Sequence, residues 1–174
     1  MIGSLLYLTA SRPDILINVC RCARFQSDLR ESHLTTVKRI LRYVKGTPNL
    51  GLMYKKTSEY RLSGYYDADY AGDRLERKRT SRNYQFLGGN LISWAGKRQS
   101  TITLSTAEAK YISASLCCTQ MLWIKNQLED FQIYESNIPT FCDNTIAICL
   151  SKNPILNSRE NHIEIKHHFI RDYV

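Results

Sequence analysis

The sequence lacks long apolar runs, and it also lacks the marks of a secreted protein. No stretch of its 174 residues approaches the roughly 20 apolar residues that a membrane-spanning helix needs, so no such segment is expected. Residues 1–10 carry no basic group, and Arg12 and Asp14 follow soon after, which argues against a signal peptide. With 43% apolar and 23% charged residues, the chain is expected to form one globular domain, or one domain with an appended piece.

Paired cysteine motifs are absent as well. The six cysteines form no CxxC pair and several lie within apolar patterns, so neither a zinc site nor a disulfide framework is expected. Buried free thiols in a reducing, intracellular compartment are the simplest expectation. His162 and His167 are five residues apart, off a single helix face, so we do not expect a zinc site that includes His168.

Acidic residues are scarce relative to basic ones. The chain has 24 Lys and Arg against 16 Asp and Glu, a net charge of +8 and an isoelectric point near 9.2. Residues 1–60 hold ten of the basic groups and only four of the acidic ones, so the excess lies in the first third. This balance favours a polyanionic partner, either nucleic acid or an anionic membrane surface, although a role in solubility alone is an alternative.

The first third of the chain has helical spacing. Pro13 and Asp14 are expected to open one helix, and Ser32 is expected to cap a second helix that ends at Gly46. After a connector, the pattern changes to strands near residue 60, and Gly88-Gly89-Asn90 predicts a hairpin. Residues 73–82 form a charged loop by this interpretation. Strands are predicted at residues 61–69, 84–87, 91–94, 101–104 and 138–142.

A long helix is predicted at residues 106–130, and its apolar residues on most sides indicate that it is buried. Asn144 is expected to cap a short helix that ends near Leu150, and a last helix begins near Ile163. Strands in a meander, then a helix, then another strand predict an α/β protein with a mixed sheet and flanking helices.

Three carboxylates lie at positions where α/β proteins place ligand chemistry. Asp67 is inside the first strand, Glu108 is in the first turn of the long helix, and Asp143 follows the last predicted strand. If these elements are neighbours, the three side chains converge, and clustered carboxylates need cations to offset their repulsion. Two Mg²⁺ ions at such a site would suit phosphodiester cleavage.

Each carboxylate also has a purely structural explanation. Ser105-Thr-Ala-Glu108 is a capping box, which by itself accounts for Glu108. Asp143 and Asn144 are a common turn and N-cap pair, and Asp67 can pair with an arginine. The position of these residues in the sequence leaves both explanations open.

Several motifs, in order and spacing, resemble the ribonuclease H domain of copia-type LTR retrotransposon polyproteins. The motifs that carry this resemblance are YYDADYAG at 65–72, FLGG at 86–89, ISW at 92–94, LSTAEAKY at 104–111, CDN at 142–144 and HIEIKHHFIRD at 162–172. The first part is similar to the end of the same element's reverse transcriptase, its thumb and connection, through GSLLYLTASRPD at 3–14, ARFQ at 23–26 and KRILRYVKGT at 38–47. The resemblance covers nearly the whole chain.

The resemblance implies a thumb and connection remnant at residues 1–59 and a ribonuclease H-like domain at residues 60–174. It also implies hydrolysis of the RNA strand of RNA–DNA hybrids with two Mg²⁺, which Mn²⁺ can replace. Asp67, Glu108 and Asp143 match the family's metal-binding carboxylates and are therefore the expected catalytic residues. Asp69, two residues along the same strand face, is a candidate to support the ligands, or else a solvated strand-end charge. The partners implied are an RNA–DNA hybrid and an upstream reverse transcriptase domain, with no membrane.

The chain also departs from the family pattern. It starts after the reverse transcriptase's catalytic aspartates, so no polymerase activity is expected, and it stops before the strand and helix that carry a fourth metal-binding aspartate. Glu164 is a weak substitute for that aspartate, because a solvated helix-face charge explains it better. Lys110 stands where the family usually has a second glutamate, and this adds positive charge near the site.

Basic residues of the charged loop form a candidate hybrid-binding patch whose targets would be backbone phosphates, with a solvated loop as the alternative. They are Arg74, Arg77, Lys78, Arg79 and Arg82. Three interpretations therefore stand: a ribonuclease H-type nuclease, whole or impaired by truncation, a binder of RNA–DNA hybrids or other polyanions without turnover, and an inert retroelement remnant.

Overall fold

The computed structural model describes residues 1–69, 79–100, 102–103, 105–145 and 148, with the side chain of Asp69 left out. These residues form a mixed α/β structure with four α-helices and a four-stranded sheet. Contacts between Cα atoms divide the chain into two compact units, Met1–Tyr54 and Lys55–Val174. None of the helices in the described ranges has the length and apolar character needed to cross a membrane.

The unit Met1–Tyr54 is helical. Its elements are α1 (Ile2–Leu8), a 3₁₀ turn (Pro13–Ile15), α2 (Leu16–Arg24) and α3 (Glu31–Gly46). The apolar faces of these elements share one core, formed by Leu5, Ile15, Val19, Cys22, Val37 and Ile40. Helix α1 is not among the predicted elements, because a seven-residue helix without a side-chain cap has little signal of its own and depends on packing.

The predicted N-cap of the second helix is wrong. Helix α3 begins at Glu31, and its N-cap is Arg30 rather than Ser32. The ring of His33 accepts a hydrogen bond from the Arg30 backbone N–H, with 3.2 Å between Arg30 N and His33 Nδ1. A side chain in the first turn that reaches back to the N-cap N–H does the work of a capping box. Ser32 lies within the helix, where its carbonyl accepts a hydrogen bond from Thr36.

Arg12 connects the start of α2 to the end of α3. Its Nε and Nη2 donate to both carboxylate oxygens of Asp14, at 3.0 and 2.8 Å, in a bidentate pair. Nη1 donates to the backbone oxygen of Thr47 at 3.1 Å, and the guanidinium lies 5.5 Å from the ring centroid of Tyr43. One buried side chain therefore joins two segments that are 35 residues apart.

The hydrogen bond from Arg12 lowers the pKa of Asp14 below its ordinary value, so the stability of the helical unit is expected to depend on pH. A carboxyl with a lowered pKa in the folded state stabilises the fold above its unfolded pKa. That contribution is lost as the pH falls below about 3.9, the ordinary aspartate value, and through the lower folded pKa. Hydrogen exchange of α2 and α3 amides should show this loss in the wild type and much less of it in Asp14→Asn. Asp28→Asn, which removes an exposed partner of Arg30, should keep the wild-type pH profile.

A mixed sheet forms the core of the second unit. Its strands are β1 (Leu62–Asp69), β2 (Thr80–Leu87), β3 (Asn90–Arg98) and β4 (Thr140–Phe141). The strand order is β3-β2-β1-β4; β1 and β2 pair antiparallel, as do β2 and β3, whereas β4 runs parallel to β1. The predicted hairpin is confirmed, since Gly88 and Gly89 both have positive φ, as the tightest two-residue turns require.

The long helix α4 (Thr106–Asp130) has the predicted bounds and packs against β1 and β2. Its buried residues lie on most of its sides, as its apolar pattern indicates. The helix approaches β1 closely at Gly64. A Cβ at that position would lie 2.8 Å from Met121 Sδ and 2.9 Å from Cys117 Sγ. A side chain at position 64 would therefore force Met121 and Cys117 to shift.

Two predicted strand boundaries are corrected by the structure. Strand β2 begins at Thr80, inside the predicted charged loop, and β3 continues to Arg98. Ile102 and Thr103 belong to no strand, which contradicts a strand at residues 101–104; residues 101 and 104 lie outside the described part.

The strand after α4 is shorter than predicted. Strand β4 has two residues instead of residues 138–142. The Gly64 N–H donates to the carbonyl of Pro139, and Pro139 has no N–H to return, so regular pairing starts after it. Beyond Asn144, whose carbonyl accepts from the Ile148 N–H, the predicted short helix is described only at residues 145 and 148. The predicted last helix lies outside the described residues.

All five cysteines in the described ranges are free thiols, as expected. Cys22 and Cys117 are buried, whereas Cys20, Cys118 and Cys142 are partly exposed. Burial raises the pKa of Cys117 to about 12 and that of Cys118 to about 11. Both thiols are therefore protonated at neutral pH and act as packing groups rather than nucleophiles.

Candidate active site

The first turns of α4 bring a lysine to the carboxylates at the end of the sheet. Lys110 Nζ lies 3.4 Å from Asp67 Oδ1 and forms a hydrogen-bonded ion pair with Asp143. The Lys110 side chain is only 12% exposed, whereas those of Asp67 and Asp143 are 46% and 76% exposed. Two of the three carboxylates that the sequence singles out therefore converge on one positive charge.

The strand register explains this convergence. Parallel pairing sets Gly64 opposite Thr140 and Tyr65 opposite Phe141. Asp67 and Asp143 each follow the second of these pairs by two residues. Because parallel strands end at the same edge of a sheet, both aspartates lie at that edge beside the start of α4.

Ser113 fixes the backbone of Asp67. Its hydroxyl is 2.7 Å from the backbone oxygen of Asp67 and 3.3 Å from that of Arg82, which pairs with Asp67 across β1 and β2. The Asp67 side chain also accepts a hydrogen bond from the Ala68 N–H at 2.7 Å. The sequence reasoning missed Ser113, whose signal is a small hydroxyl residue one helical turn after Lys110.

Glu108 occupies the N-terminal turn of α4. The Ser105 hydroxyl accepts a hydrogen bond from the Glu108 backbone N–H at 3.1 Å, so the predicted serine N-cap is confirmed. The residue as a whole is 7% exposed. A glutamate in this first turn also interacts favourably with the helix dipole. Glu108 therefore stabilises the start of α4 whether or not it binds a metal.

The charges of the cluster support one another. Burial lowers the pKa of Lys110, but the hydrogen bond to Asp143 and the charge of Asp67 raise it more, and the net pKa lies above its ordinary value. The hydrogen bond from Lys110 lowers the pKa of Asp143. Lys110 is therefore an ammonium and Asp143 a carboxylate at neutral pH.

The donor set suits a cation. Two carboxylates that converge on one positive charge match the oxygen preference of a divalent ion such as Mg²⁺. Lys110 supplies that charge here, so a divalent ion fits Asp67 and Asp143 only once the ammonium has moved away. Within the described ranges, no three His, Cys, Asp or Glu residues are placed to hold a metal together. Asp67, Glu108 and Asp143 all lie in those ranges, so the structure does not bring Glu108 together with both aspartates as a metal-binding group.

The remaining site predictions fall partly outside the described residues. Arg79 is buried and Arg82 is half-buried, which leaves little of Arg79 for contact with a phosphate in this arrangement. The side chain of Asp69 also lies outside the described part. So do the remaining predicted residues, which are Arg74, Arg77, Lys78, His162, Glu164, His167 and His168.

Comparison with known proteins identifies relatives of the chain. It is 41% identical over 175 residues to the retrovirus-related Pol polyprotein from transposon RE1 of Arabidopsis thaliana, across 100% of this chain and 12% of that protein. It is 38% identical to the corresponding polyprotein from transposon TNT 1-94 of Nicotiana tabacum, across 99% of this chain and 13% of that protein. The secreted RxLR effector protein 161 of Plasmopara viticola is 36% identical over 125 residues, or 71% of this chain and 87% of that protein.

The chain is homologous to a segment of retrotransposon Pol polyproteins. It is therefore a retroelement-derived protein. This Pol homologue spans only 12–13% of the length of the Pol polyproteins from RE1 and TNT 1-94. No family profile matches it. No solved structure matches it either.

Proposed function

We propose that this Pol homologue is the ribonuclease H part of a retroelement polyprotein and hydrolyses the RNA strand of RNA–DNA hybrids. The observation that carries the proposal is the convergence of Asp67 and Asp143 on one cation at the edge of the sheet. Glu108 lies in the first turn of α4, two residues before Lys110. Three antiparallel strands, a helix and a parallel fourth strand also agree with a ribonuclease H-like mixed sheet.

The proposed roles follow from the contacts of each residue. Asp67 and Asp143 would hold a divalent cation, Mg²⁺ or Mn²⁺, with Glu108 as a further ligand in the two-ion arrangement that the family resemblance implies. When bound, the metal supplies activation of the attacking water and stabilisation of the leaving 3′-oxygen. Ser113 positions Asp67 through its backbone oxygen, and Ser105 sets where α4 begins.

The proposed partners are a hybrid and the rest of the polyprotein. A chain with a net charge of +8 attracts the phosphates of an RNA–DNA hybrid with little sequence preference. Met1–Tyr54 would correspond to the end of a reverse transcriptase.

A second function, hybrid binding without turnover, is favoured by one specific observation. Lys110 already neutralises the two aspartates on which the metal would depend. If the ammonium stays in place, the site keeps its fold and its positive surroundings but lacks room for a metal ion. Binding and cleavage must therefore be measured separately.

The test is cleavage of an end-labelled RNA–DNA hybrid by the whole chain at increasing Mg²⁺ or Mn²⁺. We expect slow cleavage of the RNA strand by the wild type. Asp67→Asn and Asp143→Asn should reduce it by more than the roughly 10–100-fold that changes around a metal site usually cause. Asp130→Asn, at the exposed far end of α4, is the matched control and should cleave like the wild type.

Hybrid binding by the same variants is measured by fluorescence anisotropy. Unchanged binding with lost cleavage would assign the aspartates to catalysis. Folded wild-type protein that binds the hybrid but does not cleave it at any metal concentration would contradict the nuclease proposal in favour of binding alone. Equal cleavage by the wild type and Asp67→Asn would point to a contaminating nuclease and overturn the site assignment.

A further inference from the structure

Lys110 differs from an ordinary surface lysine. Most of its side chain is buried, and its ammonium contacts two carboxylates that are 76 residues apart in sequence, Asp67 in β1 and Asp143 just after β4. The other lysine on α4 with a described ion pair, Lys125, is 34% exposed and contacts Glu129 one turn away. Lys110 therefore sits in a site shaped by the tertiary fold, whereas Lys125 makes a local helix-surface pair.

We propose that Lys110 is a tethered cation that competes with a divalent metal for Asp67 and Asp143. The inference rests on the proposed function, because it takes this aspartate pair as metal ligands. A tethered group has a high effective concentration at its site, so a metal ion must displace it from both carboxylates. The flexible four-carbon stem of lysine allows the ammonium to swing towards solvent when that happens.

Displacing the Lys110 ammonium from Asp67 and Asp143 costs free energy, and this cost determines how much metal the site needs. A metal ion and the Lys110 ammonium cannot both contact Asp67 and Asp143, because two cations that close together repel one another. The ammonium must therefore leave its partly buried position and both of its ion pairs. The site should need more metal than the same two carboxylates would need without the lysine, so Lys110 sets the metal threshold for activity.

Removing the charge gives opposite effects on the metal-free and metal-bound protein. Without metal, Lys110→Gln leaves two neighbouring carboxylates without their shared cation, so the variant should unfold at a lower temperature than the wild type. With metal, the free pair binds the ion more tightly, and binding to the folded state alone raises stability. The difference in Tm between the variant and the wild type should therefore shrink as metal is added.

The experiment measures Mn²⁺ and Mg²⁺ binding to the whole chain by isothermal titration calorimetry, and Tm in chelator and in metal. Lys110→Gln and Lys110→Met should bind Mn²⁺ about tenfold or more tightly than the wild type, the scale on which groups around a metal site change affinity. Lys125→Gln is the matched control on the same helix and should bind like the wild type. The double variant Lys110→Gln/Asp143→Asn should lose the gain.

Equal Mn²⁺ affinity of the wild type and both Lys110 variants would overturn the proposal. A variant that is unfolded in chelator and folds on addition of Mn²⁺ would support it, and one that stays unfolded in both would overturn it. Hybrid cleavage by the same proteins separates the two proposals. If the Lys110 variants bind metal more tightly than the wild type but no protein cleaves the hybrid, only the nuclease proposal is contradicted. If the wild type cleaves the hybrid and the Lys110 variants bind metal as the wild type does, only the competition proposal is contradicted.

Discussion

Gly88→Ala is expected to destabilise the sheet unit strongly. Gly88 has φ of +55°, and a Cβ there would lie 2.2 Å from the backbone oxygen of Glu59 and 2.5 Å from the side chain of Thr57. The left-handed backbone and the overpacking each cost about 1–3 kcal/mol. Because a backbone oxygen cannot rotate away, we expect a combined loss of about 2–6 kcal/mol in the free energy of unfolding.

Gly89→Ala provides the matched control within the same turn. Its φ is +80°, but nothing lies within 4 Å of the added Cβ. It should therefore show only the backbone cost, about 1–3 kcal/mol, without the cost of overpacking. Urea unfolding followed by tryptophan fluorescence reports on this unit, since Trp94 and Trp123 both belong to it. Equal losses for the two variants would show that the contact with Glu59 does not constrain the turn.

Tyr111→Ala is expected to have the largest effect of any single truncation in α4. Tyr111 is fully buried, and its core cluster includes Ala107, Ile112 and Ala114. Removing a buried aromatic ring of this size costs about 3–5 kcal/mol, because the surrounding residues cannot collapse fully into the cavity. Urea unfolding by tryptophan fluorescence measures the loss.

Tyr134→Ala is the comparison for that truncation. Tyr134 follows α4 and is exposed, so its removal should change the free energy of unfolding by less than about 0.5 kcal/mol. A small effect of Tyr111→Ala, close to that of Tyr134→Ala, would mean that α4 is not the centre of this unit's core.

The parts of the fold that could be predicted are those with local causes. The bounds of α4 follow from a serine cap and an apolar pattern that continues for seven turns, and the hairpin follows from two adjacent glycines. Helix α1 is too short for its pattern to be decisive and depends on α2. The start of α3 was misplaced because a histidine ring, rather than the serine, serves the N-cap.

The candidate site was predictable in its carboxylates but not in its cation. Asp67 and Asp143 could be selected because they lie in or directly after strands. That Lys110 bridges them depends on the parallel pairing of β1 with β4, which no local pattern specifies. The sequence indicated only extra positive charge near the site. Ser113 was missed for the same reason, because its partners are backbone oxygens on two strands.

The pairing of β1 with β4 also orders the events of folding. The β2–β3 hairpin joins neighbours in sequence and can close quickly, whereas Gly64 meets Thr140 only after 75 intervening residues have been brought together. The two aspartates become neighbours only at that late step. A nascent or partly folded chain therefore exposes its aspartates separately, and the charged cluster forms only when the long-range topology is complete.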